Sequence, residues 1–139
     1  MEAFKIKNGI SATRYLGSNG TETAGSVGYG LSSASYDSKS FSTASQTTSP
    51  RGFVFNSNGT KLFVLGTFED SIFQYSLSTA FDISTASYDS VSLDVSSEDG
   101  SCNGLTFNNS GTKLYVVGAE FDNVYQYVKP PNHLRTGTV

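Results

Sequence analysis

The residues able to do chemistry are few, and most of them recur at a fixed spacing. The 139-residue chain has one His and one Cys. His133 therefore cannot join a multi-His metal site, and Cys102 cannot form an internal disulfide. His133 stands just after Pro130 and Pro131 and reads as a loop histidine rather than a general base. A glycosidase needs two carboxylates converging about 5–9 Å apart. Asp37, Asp70, Asp89 and Asp122 fall into two pairs separated by one common offset, which marks them as turn or strand-edge residues. The acidic stretches Glu98-Asp99-Gly100 and Asp122-Asn123 lack the ligand spacing of a twelve-residue calcium loop. The expectation is a protein with no metal, no cofactor and no catalytic constellation.

A binding chemistry is easier to assemble. Tyr36, Tyr75, Tyr88 and Tyr127, together with Gln74 and Gln126, offer the aromatic faces and side-chain amides that a sugar ring uses, so they form a candidate glycan contact. The chain has no Trp. A structural role competes: Phe73/Tyr75 and Tyr125/Tyr127 alternate as inward-facing strand residues do. Lys61 and Lys113 each follow a turn, where a charge discourages addition of a foreign strand. Cys102 stands where the earlier copy of the repeat has Pro50, which suits a packing filler.

These residues are positioned by an internal repeat. Residues 36–75 match residues 88–127 without a gap at an offset of 52, with eighteen of forty pairs identical. Among the identities are Tyr36/Tyr88, Asp37/Asp89, Gly59/Gly111, Lys61/Lys113, Asp70/Asp122, Gln74/Gln126 and Tyr75/Tyr127. Turn residues cut the first copy into strands at GFVF (52–55), TKLFVLG (60–66), SIFQYSL (71–77) and ASYDSVSLDV (86–95). The Asn58-Gly59 step predicts a tight hairpin, since both residues tolerate positive φ. The second copy supplies NGLTF, TKLYVVG and NVYQY in the same order and then stops.

Ser and Thr make up about a quarter of the chain, the charged fraction is 15% and the net charge is −3. This is the composition of an all-β protein rather than a nucleic-acid binder. No stretch approaches a membrane span of about 20 apolar residues. Four short antiparallel strands per 52 residues are the pattern of a propeller blade. LFVLG and LYVVG are apolar on both faces, as inner strands between neighbouring blades would be. A β-sandwich of two facing repeats is the alternative. The domain reading is an arm and a Gly/Ser/Thr-rich linker at 1–35, repeat 1 at 36–87, an incomplete repeat 2 at 88–129 and a tail at 130–139. A propeller has about four to eight blades, so two cannot close a ring. A fourth-strand segment at 35–43 precedes the first full unit, and the last unit has three strands, so the leading strand of one chain could complete the last unit of the next. Three chains make six blades, and a homotrimer is the expected assembly.

The strings SPRGFVFNSNGTKLFVLG, DSIFQYSLSTAFDISTASYDS and GLTFNNSGTKLYVVG resemble the repeats of propeller-type proteins in tail fibres and other virion appendages of tailed bacteriophages, marine phages in particular. The leader FKIKNGISATRYLGSNGTETAGS resembles the segment that precedes such repeats. Within it the Asn8-Gly9 step suits a hairpin, and Ser18 to Gly30 reads as a flexible linker. The resemblance implies a non-enzymatic structural protein of the virion, made in the host cytoplasm and exposed outside the cell, serving attachment, decoration or host-surface contact. Its implied partners are other virion proteins, further copies of the chain and host surface polysaccharide. The alternative function is a lectin that builds an oligomeric propeller from two-blade subunits.

Overall fold

The computed structural model describes residues 29–130. The hairpin expected at Asn8-Gly9, most of the linker reading and His133 lie outside the described residues. By contacts the chain divides into Met1–Asp37 and Ser38–Val139. In the described part of the first unit, Ala34 N–H donates to Leu31 O at 3.0 Å and closes a turn. Every described strand belongs to the second unit.

Its described residues are all-β, with two antiparallel sheets. The first joins β1 (Pro50–Phe55), β2 (Lys61–Gly66), β3 (Ser71–Leu77) and β4 (Ala86–Asp94) in chain order. The second joins β5 (Cys102–Phe107), β6 (Lys113–Gly118) and β7 (Val124–Val128), again in chain order. All seven strands expected from the turn residues are present. Residues 35–43 are not a strand: a strand exists only by hydrogen bonding to a neighbour, and none of the described strands pairs with this segment.

The repeat in sequence is a repeat in geometry. The β1–β2 turn closes through Gly59 N–H to Asn56 O at 3.1 Å, and the β5–β6 turn through Gly111 N–H to Asn108 O at 3.0 Å. In both, the Asn side chain accepts from the first residue of the next strand, Lys61 or Lys113, at 2.9 Å. Gly59 (φ 74°) and Gly111 (φ 71°) take the left-handed conformation, but Asn58 does not. The turn is therefore a longer loop ending in a left-handed Gly, and Asn58 serves it by accepting from Thr60 N–H at 3.1 Å. Asp70 (φ 46°) and Asp122 (φ 59°) share a left-handed turn, where Asp is tolerated better than most residues. Ser38 (φ 67°) and Ser90 (φ 61°) are a third equivalent pair, and Ser90 marks the bulge where the β3–β4 register shifts between Gln74 and Tyr75.

Two apolar clusters hold the unit together. One lies between the sheets: Leu65 and Ile72 from the first meet Cys102, Leu114 and Val116 from the second, with Val95 from the connecting loop. Phe63 and Phe107 add a tilted ring pair at 4.8 Å. The other lies on the opposite face of the first sheet, where Leu62, Val64, Phe73, Tyr75 and Leu77 are covered by Phe41, Phe55, Ile83, Ala86 and Tyr88. The first sheet is thus buried on both faces, as its unbroken apolar runs require. The second sheet is buried on one. Val117, Val124 and Val128 on its other face are 42%, 68% and 60% exposed.

Candidate functional site

The polar residues that recur in the sequence converge on one carboxylate. Asp89 on β4 lies across β3 from β2. Its Oδ2 accepts from Lys61 Nζ at 2.9 Å and Gln74 Nε2 at 2.7 Å, and its Oδ1 accepts from Ser76 Oγ at 2.6 Å. Lys61 Nζ also reaches Ser76 Oγ at 2.7 Å. Burial would raise the Asp89 pKa, but these side-chain donors and the Lys61 charge outweigh it and hold the carboxyl below the usual value. The bulge at Ser90 supports this geometry by offsetting β4 from the plain pleat. A cleft of about 640 Å³ opens beside the network, between the turns of the two sheets, and takes in Phe63, Gln74, Phe107, Asn108 and Asn109.

A second polar centre sits in the loop that crosses from β4 to β5. Asp99 is fully buried, and its Oδ1 accepts from Ser101 N–H at 2.9 Å and Glu120 N–H at 3.1 Å, its Oδ2 from Phe121 N–H at 3.1 Å. Burial pushes this carboxyl up, but the backbone donors win and it lies below the ordinary range. Next to it, Glu98 accepts from Tyr127 OH at 2.6 Å. In the repeat-equivalent loop Thr47 is buried in place of Asp99 and accepts from Ser49 N–H at 3.0 Å, while Gln46 in place of Glu98 accepts from Tyr75 OH at 3.1 Å. The two loops are therefore the same device with different side chains.

The six candidate glycan-contact residues separate. Tyr75 is 2% exposed, its ring in edge contact with Phe41 at 5.1 Å, and it offers no face to a ligand. Tyr88 is half-buried against Tyr75 at 5.6 Å and Phe73 at 6.2 Å. Gln74 spends its amide on Asp89, and Tyr127 spends its hydroxyl on Glu98. Tyr36 (75% exposed) and Gln126 are on the surface. Within this chain only Gln74, Tyr75 and Tyr88 come together, and they do so as strand neighbours. Lys61 is more than a turn-edge charge, since it ties β2 to β4. The signal was present in the sequence as the joint recurrence of Lys61/Lys113, Gln74/Gln126 and Asp37/Asp89, but residues this far apart reveal a network only once the register is known. Asp99 left no such trace, because its equivalent is Thr47.

Among the described residues, no group of three or more His, Cys, Asp or Glu side chains is arranged to hold a metal ion, and no helix is long and apolar enough to cross a membrane. Comparisons with protein-family models, with characterised proteins and with solved structures find no match to this chain.

Proposed function

We propose that this protein is a non-enzymatic structural module, built of propeller-type blades and working as an assembly of its own copies in a virion appendage of a tailed bacteriophage. The observation that carries this reading is where the polar residues go. Lys61, Gln74, Ser76 and Asp89, the two turn asparagines and the Gln46/Glu98 loops all bond to the protein itself. A repeat whose side chains are spent in this way builds a scaffold. The four-plus-three count of described strands supports assembly, because among them the second sheet is one strand short of the first and exposes a face whose counterpart in the first is covered. Three copies supply six blades, within the range of closed propellers. Light scattering on the purified full chain tests the assembly, with about three times the 14.8 kDa chain mass expected. Immunogold labelling of particles that carry the gene tests the virion assignment, and unlabelled particles overturn it.

The cleft beside Asp89 favours a second reading, carbohydrate binding, since the aromatic Phe63 and Phe107 and the amide of Asn109 line it together. Host surface polysaccharide is the ligand class this reading implies. A glycan array separates the two: binding lost on Asn109→Ala in a folded protein supports the lectin, and silence across the array supports the scaffold alone.

A further inference from the structure

Two features of the chain match each other. Among the described strands the second sheet ends at β7, which hydrogen-bonds to β6 alone, while its equivalent β3 is flanked by both β2 and β4. Ahead of the first sheet, residues 34–38 read Ala-Ser-Tyr-Asp-Ser, identical to residues 86–90 of β4. Likeness extends to backbone shape: Ser38 has φ 67°, matching the 61° of Ser90 at the β4 bulge. A segment outside both sheets thus shares with β4 the left-handed serine that marks the β4 bulge.

The chain beyond Ser38 is equally matched. Leu93 at the end of β4 lines a cavity with Tyr127, and its equivalent Phe41 packs on Tyr75 at 5.1 Å. Glu98 bonds Tyr127, and Gln46 bonds Tyr75. The chain after Ser38 thus lies on the first sheet as the chain after Ser90 lies on the second. Inside one chain, β4 belongs to the first sheet while the loop after it clamps the second. The loop after 34–42 clamps the first sheet in the same way, through Phe41 and Gln46 on Tyr75.

We propose that residues 34–42 of a second copy of this chain add to β7 as its fourth antiparallel strand, in the register of β3 with β4. This deepens the assembly part of the proposed function and rests on it. The register comes residue by residue from the observed pairs Ser71↔Asp94, Ile72↔Leu93, Gln74↔Val91 and Tyr75↔Tyr88. It sets Asn123 opposite Ser42, Val124 opposite Phe41, Gln126 opposite Lys39 and Tyr127 opposite Tyr36. The lysine and glutamine donors of the Asp89 network recur at the junction, where Asp37 of the incoming copy accepts from Lys113 and Gln126, while Val128 stands in place of Ser76. The faces match as well. Within the chain, Phe63, Leu65 and Ile72 of the first sheet pack on Leu105, Phe107, Leu114 and Val116 of the second. Their equivalents are Val117 and Val124 on the exposed side of one copy, and on the other the 64% exposed Phe53, at an apolar groove of about 280 Å³ that the buried Leu62 and Val64 also line. Strand addition at an open edge draws its affinity from main-chain hydrogen bonds and its specificity from alternate side chains.

Full-length variants carrying one added cysteine each test the register. Ser42→Cys mixed with Asn123→Cys is expected to give a disulfide-linked dimer under mild oxidation, since directly paired strand residues lie within disulfide range. Ser42→Cys mixed with Val124→Cys, a one-residue slip that turns the thiol to the other face, is expected to stay uncrosslinked. Lys113→Glu and Asp37→Lys are each expected to raise the concentration of half-dissociation about tenfold, and the two together to restore much of the loss. Oligomers that form without the Ser42–Asn123 crosslink, and that ignore both charge reversals, overturn the strand addition and leave the assembly reading standing. A monomer at every concentration overturns both.

Discussion

Cys102 is fully buried in the intersheet cluster, and its thiol donates to Asp99 O at 3.3 Å. Burial, followed by the nearby Asp99, Asp70 and Glu98 charges, pushes its pKa up to about 11. The thiolate is the reactive form, so in native protein at pH 8 a thiol reagent should label Cys102 at least tenfold more slowly than in urea-unfolded protein, an outcome read by absorbance. Asp70 is the other residue with a cost attached. Burial, then repulsion from Asp94, Glu120, Asp99 and Glu69, raises its pKa, and its Oδ1 is buried without a hydrogen-bond partner. A carboxyl with a raised folded pKa destabilises the protein as pH rises above the unfolded value of 3.8, whereas Asp99, with a lowered one, stabilises above 3.8 and loses that contribution as pH falls through its folded value. Asp70→Asn removes the charge and suits the left-handed φ of 46°. Its melting temperature should rise by about 2–4 °C at pH 7 and should not rise at pH 3, where Asp70 is protonated folded and unfolded alike. Neither role was readable in advance: Asp70 announced a turn by recurring in both repeats, but the Asp94, Glu120 and Asp99 carboxylates that act on it come from other parts of the chain, and Asp99 stands opposite a Thr.

At the scale of elements, the strands were legible almost to the residue, because Gly, Asn and Ser punctuate every hairpin and the apolar runs between them are too short for helices. The dual burial of β2 was legible too, from Leu62, Phe63, Val64 and Leu65 in succession. The segment at 35–43 has the sequence of a strand without a strand's pairing: side-chain pattern is a property of the segment, but hydrogen bonding is a property of its neighbours. The two sheets therefore respond differently to equivalent truncations. Leu65→Ala removes a fully buried side chain between the sheets and should cost about 2–5 kcal/mol of folding stability in a denaturant titration. Val117→Ala, at the equivalent position on the exposed side, should shift the same titration by less than about 1 kcal/mol under conditions where the chain is monomeric.

For the molecule as a whole, the repeat fixed how the second sheet would resemble the first, down to the left-handed Gly59 and Gly111, and it could not say what stands beside either. The same strand order and turns meet different surroundings. The β3 amides lie between two strands and under two apolar layers, and among the described residues those of β7 have a strand on one side only. Local opening costs least where an element has fewest partners. Amide hydrogen exchange should therefore grade along the repeat, with β3 among the slowest segments and β7 exchanging at least a hundredfold faster in dilute protein, as mass spectrometry of peptic fragments would show. One sequence motif written twice then carries two clocks, and the gap between their rates measures, from inside a single chain, how much of a strand's persistence comes from its neighbours rather than from its residues.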